Sequence, residues 1–554
     1  MATASDAGKR SLGDRFLDGI EKTGNKVPHP VIMFLYLIAF VAVLSAVLAA
    51  FDVSVTEEIV EPVPRQELAD LRDALGGTYV PYELFTQIEP YIPDYTVVEE
   101  TIEVRSLLDV DGIRFLFSSI VNNVASFGVI AVILVAMAGV GVAEASGLMA
   151  ALIRKLVAVA PRQIIAFILI FIGVISSIAT DAGYLILIPL AASAFLVVGR
   201  NPIAGVAASF AGVSAVFAVN ILITPTDAML TEVTNEAIGA AGQPIDITAN
   251  LYFAIASSIV LSFVTLFVTN RLVEPRLGTF DPADGDPAWL SVDEEMHETE
   301  AAAEARGLRF TLWATVAFVV VVGLLTLLPN APLRDPVTGA IVGPTPFMSS
   351  LIWIISLLFL VAGLAYGWGA GTMAGKNRAV EAVTKTYAGL AGLIFMLVMI
   401  AQFIAMFNYT NIPRVTAIEL AGLLEAAGFP ALALLIGFIL VIVLLNLILP
   451  GVVPKWAIFA PVFIPIFTRL DIAPQTLLAA YRIGDGPTNV LTPLMVYLPF
   501  ILTVTQRYKR DAGLGTIVAM MLPYTLWILL AWVALFVAWF LLGLPLGPGA
   551  PVSL

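Results

Sequence analysis

The stretch Tyr481-Arg482-Ile483-Gly484-Asp485-Gly486-Pro487-Thr488-Asn489 puts a guanidinium, a carboxylate, a hydroxyl and an amide inside one long apolar run, 477–505. An Arg or Asp near the centre of a membrane helix costs about 2.5–3.5 kcal/mol on insertion scales, and such residues usually mark a transport path. Gly484, Gly486 and Pro487 bracket the Asp, and Pro487 both removes a backbone donor and clashes with the preceding turn. The helix is therefore predicted to unwind here and to leave free carbonyls at depth, which is tolerated only where protein or a water-filled cavity receives them. Carbonyls, the Asp485 carboxylate and an amide together suit a hard cation. Arg482 offers a planar fork for carboxylate or sulfonyl oxygens, or else pairs with Asp485 or Asp181. A purely structural Arg–Asp pair at a kink is the alternative to a transport site.

A second group of candidates lies upstream. Asn446 stands ten residues before Trp456; its amide oxygen suits Na⁺, or it caps a turn. Trp456 can stack on an aromatic amine or sit in an interfacial aromatic belt, and Lys455 can meet a carboxylate. Asp181 can bind a cation or carry a proton. Pro474 and Pro493 read as breaks or hinges.

The elements that position these residues follow from composition. The chain has 554 residues, 59% hydrophobic and 13% charged, too apolar for a soluble domain and typical of a polytopic helical membrane protein. It contains no cysteine, so thiol and disulfide chemistry is excluded, and its two histidines, His29 and His297, lack partners at metal-ligand spacing. The net charge of −14 resides mainly in two solvated loops.

Read in order, 1–51 is a basic cytoplasmic N-terminus with an uncleaved first helix, oriented by the positive-inside rule. Residues 52–112 form an acidic extracytoplasmic loop, and 113–270 a first repeat containing a hairpin at 163–199. Residues 271–309 are a cytoplasmic linker and 310–385 connecting helices. A second repeat spans 386–542, with a hairpin at 431–468, and 543–554 is a tail. The expected architecture is all-α: nine transmembrane helices, including 203–224 and 477–505, plus two re-entrant hairpins. Each hairpin run is too long for one crossing of about 20 residues.

The two halves echo one another. Tyr184 stands five residues before Pro189, as Trp456 does before Pro461; downstream come Pro225-Thr226-Asp227 and Pro487-Thr488-Asn489. An odd number of intervening crossings inverts the second copy. Paired interrupted segments of this kind point to the midplane site of a secondary transporter, which brings Thr226, Thr488 and Asn489 among the candidate substrate-site residues.

The run Lys455-Trp456-Ala457-Ile458-Phe459-Ala460-Pro461-Val462-Phe463, then Pro474, Arg482, Gly484-Asp485 and Pro493, resembles the p-aminobenzoyl-glutamate transporter (AbgT) family. So does Ala-Thr-Asp-Ala-Gly at 179–183. The resemblance covers nearly all of the chain except 52–112 and 271–309. It implies a bowl-shaped homodimer with an inner scaffold and an outer transport core holding both hairpins. It also implies import of p-aminobenzoyl-glutamate or export of sulfonamide antimetabolites. Sodium is associated with positions matching Asn446 and Asp485, and the substrate path with Asp181, Trp456, Pro474, Arg482 and Pro493. One departure is Val453-Pro454 at the second hairpin tip, where the resemblance implies a small hydroxyl residue.

The expected function is therefore secondary active transport of a small aromatic anion across the bacterial inner (cytoplasmic) membrane, coupled to Na⁺ or H⁺. A sodium-coupled dicarboxylate transporter of similar hairpin architecture is the alternative. No Walker A sequence supports ATP-driven transport. No Ser/His pair or paired metal motif supports an intramembrane enzyme. The broken hairpins and buried Arg favour alternating access over a channel. No cofactor other than the coupling ion and no nucleic-acid partner is expected.

Overall fold

The structure, a computed structural model, describes residues 30–62, 95–158, 161, 163–178, 183–239, 243–285, 298–342, 345–373, 375, 377–447, 449, 451–492, 495 and 497–554. Asp181, Pro493, both histidines and the first hairpin tip at 179–182 lie outside these residues.

The first repeat is approached through α1 (Pro30–Ala50) and a two-stranded antiparallel ribbon, β1 (Ser54–Pro62) and β2 (Tyr95–Glu103). Its register runs from Ser54↔Glu103 to Pro62↔Tyr95, so the acidic loop contains strand. The first repeat opens with three helical pieces, α2 (Val110–Ser118), α3 (Ile120–Ser126) and α4 (Gly128–Ala145). After α5 (Leu148–Ala158) come α6 (Ile165–Ile175) and α7 (Ile188–Val197), then α8 (Pro202–Phe210), α9 (Pro225–Ile238) and α10 (Leu251–Val268).

The connecting helices are α11 (Glu298–Leu327), α12 (Leu351–Ala370) and α13 (Arg378–Gly389). The Ala/Glu run ahead of Arg306 was expected in the linker, but these strong helix formers extend α11 at its start. The second repeat follows as α14 (Ala391–Tyr409), α15 (Ile412–Ala426), α16 (Ala431–Asn446), α17 (Val452–Arg469), α18 (Pro474–Asp485), α19 (Leu498–Tyr508) and α20 (Leu514–Leu541).

Among the described residues, eight helices are long and apolar enough to cross a membrane. Seven coincide with expected spans (α1, α4, α10, α11, α12, α14 and α20), and the eighth is α17, expected as a hairpin arm. The expected spans at 203–224 and 477–505 are each interrupted. The first runs as α8, continues through a π turn at Ala211–Ala215 and restarts at Pro225; the second stops at Asp485 and restarts at Leu498. Pro225 sits at the first position of its helix, where its missing N–H leaves no intrahelical bond unmade.

The first halves of these interrupted helices are the interior of the molecule. Every residue of α8 and of the π turn after it is buried, as is every residue of α18. The packing is reciprocal: α18 lies against α16, α17 and α20, while α8 lies against α6, α7 and α19. By contrast, α11 has only 11% of its most apolar window buried, leaving an apolar face that suits lipid.

Close approach depends on missing side chains. A Cβ at Gly484 would lie 2.6 Å from Ile442 Cβ and 2.8 Å from the Ile439 carbonyl oxygen; one at Gly212 would lie 2.7 Å from the Ile170 carbonyl oxygen. Glycine thus seats each interrupted helix on the first helix of its own repeat's hairpin segment. The two breaks also face one another, since a Cβ at Gly486 would sit 3.0 Å from the Ala215 carbonyl oxygen. Overpacking of this kind costs about 1–3 kcal/mol. Gly484→Ala is therefore expected to lower the thermal unfolding midpoint in detergent by several degrees. Gly437→Ala on α16, where no atom lies within 4 Å of the added carbon, should leave that midpoint unchanged.

Candidate functional site

The last turn of α18 carries Arg482 and Asp485, three residues apart and therefore on one face. Both are almost fully buried, at 4% and 1% exposure. They do not pair with each other. Arg482 Nη1 donates to Asp227 Oδ1 at 2.5 Å and to the Ala218 carbonyl at 3.1 Å, across to the first repeat. Arg482 Nε is buried and donates to nothing among the described residues.

Asp227 is held ready for this pairing by its own helix. Its Oδ2 accepts the Thr224 backbone N–H at 2.7 Å, and the Thr224 hydroxyl accepts the Asp227 N–H, forming a reciprocal capping box at the start of α9. One carboxylate oxygen is spent on the cap and the other on Arg482. Thr226 lies beside it in the same turn.

Asp485 is paired with Lys455, which is fully buried in the first turn of α17. The Lys455 ammonium lies 2.5 Å from Asp485 Oδ1 and donates to Asn446 Oδ1. Asn446, also fully buried, ends α16. Its Nδ2 donates to the Asp485 carbonyl at 2.6 Å, Thr488 Oγ1 at 2.8 Å and Asn489 Oδ1 at 2.9 Å. A single amide therefore ties the end of one helix to the unwound chain after another. On the far side, Thr525 of α20 donates to the Pro487 carbonyl at 2.8 Å.

Trp456 follows Lys455 and is fully buried. Its indole N–H donates to Thr234 Oγ1 of α9 at 2.9 Å, and its ring lies 4.7 Å from that of Tyr481, centroid to centroid. The Tyr481 hydroxyl donates to the Val452 carbonyl. The counterpart in the first repeat, Tyr184, stacks on Tyr497 at 4.2 Å. Each aromatic residue therefore reaches across to the interrupted helix of the other repeat.

The sequence-predicted residues thus fall into groups. Asn446, Lys455, Asp485, Thr488 and Asn489 form one connected cluster, with Trp456 next to it, while Arg482 pairs separately with Asp227, beside Thr226. Pro474 begins α18, eight residues or about 12 Å of helix from Arg482, and lines a cavity of about 880 Å³ with Thr231, Glu232, Asn235 and Asp246. Two expectations change. The described partner of Arg482 is Asp227, not Asp485, and Lys455 faces Asp485 where a substrate carboxylate was expected. The reason is geometric: side chains three apart on a helix point outward side by side, so each meets whatever packs opposite.

Three participants were missed. Asp227 had a signal, because it fills the position of Asn489 in the repeated Pro-Thr-[Asp/Asn] motif. Asn220 stands seven residues before Asp227, as Arg482 does before Asn489, and donates to Ser177 Oγ at 2.8 Å and the Ile175 carbonyl at 3.0 Å. It ties the first break to its hairpin segment. Thr234 had no local signal at all.

Oxygen atoms predominate around the end of α18. Asp485 contributes the one carboxylate, and Asn446, Thr488, Asn489 and the Asp485 carbonyl are neutral oxygens, the ligands hard cations take. No group of three or more acidic or histidine side chains suited to a divalent or transition metal occurs among the described residues.

Removing one member of a buried pair leaves an uncompensated charge, at about 3–5 kcal/mol. Asp227→Ala should therefore lower thermal stability sharply, and Asp227→Ala with Arg482→Ala should recover part of the loss. A double-mutant cycle of unfolding midpoints checks this; additive losses would mean the two side chains do not interact.

Comparison with known proteins agrees with this architecture. The chain is 32% identical over 532 residues to the p-aminobenzoyl-glutamate transport protein of Escherichia coli (strain K12), covering 96% of this chain and 95% of that protein. It superposes on the Alcanivorax borkumensis YdaH transporter with a TM-score of 0.81 at 36% identity, covering 94% of this chain and 100% of that one. For Neisseria gonorrhoeae MtrF, described with a class of antimetabolite efflux pumps, the TM-score is 0.82 at 35% identity, covering 97% and 100%. The AbgT transporter family model matches residues 15–554. With interrupted helices, buried ion pairs and these relatives along its length, this multi-span membrane protein belongs to the AbgT transporter family.

Proposed function

We propose that the chain is a secondary active transporter of the bacterial inner membrane, carrying p-aminobenzoyl-glutamate or exporting sulfonamide antimetabolites, driven by a Na⁺ or H⁺ gradient. The observation that carries this reading is the meeting of two interrupted helices, break to break, with Arg482, Asp227, Lys455 and Asp485 held there. Ionisable groups at such a point are costly to keep, and paired discontinuous helices are how many carriers build a substrate and ion site.

Arg482 supplies the anion-recognising element. Its Nη1 is committed to Asp227 and Ala218, whereas Nε is a buried donor with no acceptor among the described residues. A carboxylate or sulfonyl oxygen would satisfy it. Trp456 and Tyr481 form the aromatic wall beside it, and the Trp456 ring reaches an aromatic substrate only when α17 shifts against α9. The cavity at Pro474 is the outer approach to this region. In the same reading, the segments around 163–199 and 431–468 are re-entrant hairpins of opposite orientation, and the working unit is a homodimer.

Two experiments test the reading. In proteoliposomes under an imposed Na⁺ or H⁺ gradient, wild-type protein should move labelled p-aminobenzoyl-glutamate, and Arg482→Lys should insert normally. Lysine keeps the charge but loses the planar fork and with it the donor at the Nε position. A hydrogen bond to a charged group is worth about 1.5–3 kcal/mol, so ligand affinity should fall roughly ten- to hundredfold. Wild-type affinity in Arg482→Lys would remove Arg482 from the site. For topology, single cysteines at Thr180 and Val453 in this cysteine-free chain should label with impermeant thiol reagents from opposite sides of the membrane. Labelling from one side only would exclude the inverted hairpins.

A further inference from the structure

The cation site expected from the sequence at Asn446 and Asp485 is filled in the structure by a side chain of the protein. Lys455 Nζ touches the same two side-chain oxygens, Asn446 Oδ1 and Asp485 Oδ1, that the site offers to a free cation. The side chain is fully buried and has no other charged partner among the described residues. The ammonium lies 2.5 Å from Asp485 Oδ1. The contact is charge to charge. The other charged and titratable side chains near it are Arg482, which turns to Asp227, and Tyr481, which donates to the Val452 carbonyl.

We propose that the Lys455 ammonium is a tethered stand-in for the coupling cation, and that free Na⁺ binds at Asn446 and Asp485 only by displacing it. Two positive charges cannot share one carboxylate oxygen and one amide oxygen at contact distance in a dry interior. Asp485 has negative charge for one of them. The inference rests on the sodium form of the function proposed above.

Displacement has a consequence for substrate. Lys455 sits in the first turn of α17, and Gly451 just ahead of that helix has φ +94°, a conformation suited to glycine. Once expelled from Asp485, its ammonium requires another anion, and the anionic substrate near Arg482 supplies one. Cation and substrate then favour each other's binding without touching, and by linkage the effect is reciprocal. Lysine at 455 is thereby the residue that makes substrate binding answer to sodium.

The test uses purified full-length protein in detergent, titrated with NaCl at constant ionic strength against choline chloride, reading the thermal unfolding midpoint. Two neutral variants are compared with wild type, Lys455→Met and Lys455→Gln; the second keeps a hydrogen-bonding group for Asp485 should the first fail to fold. With the competitor removed, the Na⁺ concentration giving half-maximal stabilisation should fall at least tenfold. Addition of p-aminobenzoyl-glutamate should lower that concentration in wild type and leave it unmoved in the variants. If wild type responds to Na⁺ and a folded variant responds at the same or higher concentration, the displacement mechanism is wrong while the sodium site stands. Were no protein in the series to respond to Na⁺, both the mechanism and the sodium reading would fall.

Discussion

Two cations and two carboxylates gather around the last turn of α18, Asp227 half-buried and the other three buried, and no group there is neutralised by its neighbour on the same helix. Arg482 turns to α9 and Asp485 to α17. In a low-dielectric interior each charge is tolerable only while its partner stays in place. The two pairs therefore hold three elements together: α9, α17 and α18. The remaining polar bonds arrange the partners. The Thr224 cap aims Asp227, Asn446 ties the unwound 486–489 segment to α16, and Thr525 receives the Pro487 carbonyl.

This arrangement explains why α18 and α8 are the most enclosed parts of the chain. A helix that ends at depth leaves its last carbonyls unpaired, and here those groups must find protein partners. Asn446, Thr525 and, for the first break, Arg482 at the Ala218 carbonyl provide them. The glycines at 212 and 484 then let each interrupted helix approach its neighbour to backbone contact. Ion pairs and close packing are thus two consequences of one requirement, the burial of a broken helix.

The same geometry leaves room for change. Around the site the two repeats are tied by individual polar and ring contacts: Arg482 to Asp227 and the Ala218 carbonyl, Trp456 to Thr234, Tyr184 to Tyr497. Contacts of that kind can be exchanged one at a time as packed halves shift between discrete arrangements. Among the described residues, α11, with its largely uncovered apolar face, has no comparable polar ties to the centre.

What the sequence determined by itself was whatever depends on local chemistry. Its hydropathy made the chain a multi-span membrane protein. Pro225, Gly486 and Pro487 located the helix breaks, because backbone constraints act within a few residues. The repeated aromatic-to-proline and Pro-Thr-[Asp/Asn] spacings disclosed two related halves, and Asn446, Lys455, Arg482 and Asp485 were all identifiable as candidates. Which charge meets which was decided only by tertiary structure. Arg482 and Asp227 are 255 positions apart, and Trp456 and Thr234 are 222 apart. No local rule ranks Asp227 above Asp485 as the arginine's partner. The choice is made by helix packing, which sends adjacent side chains on one turn toward different neighbours and leaves each buried charge to the opposite charge that lies across from it.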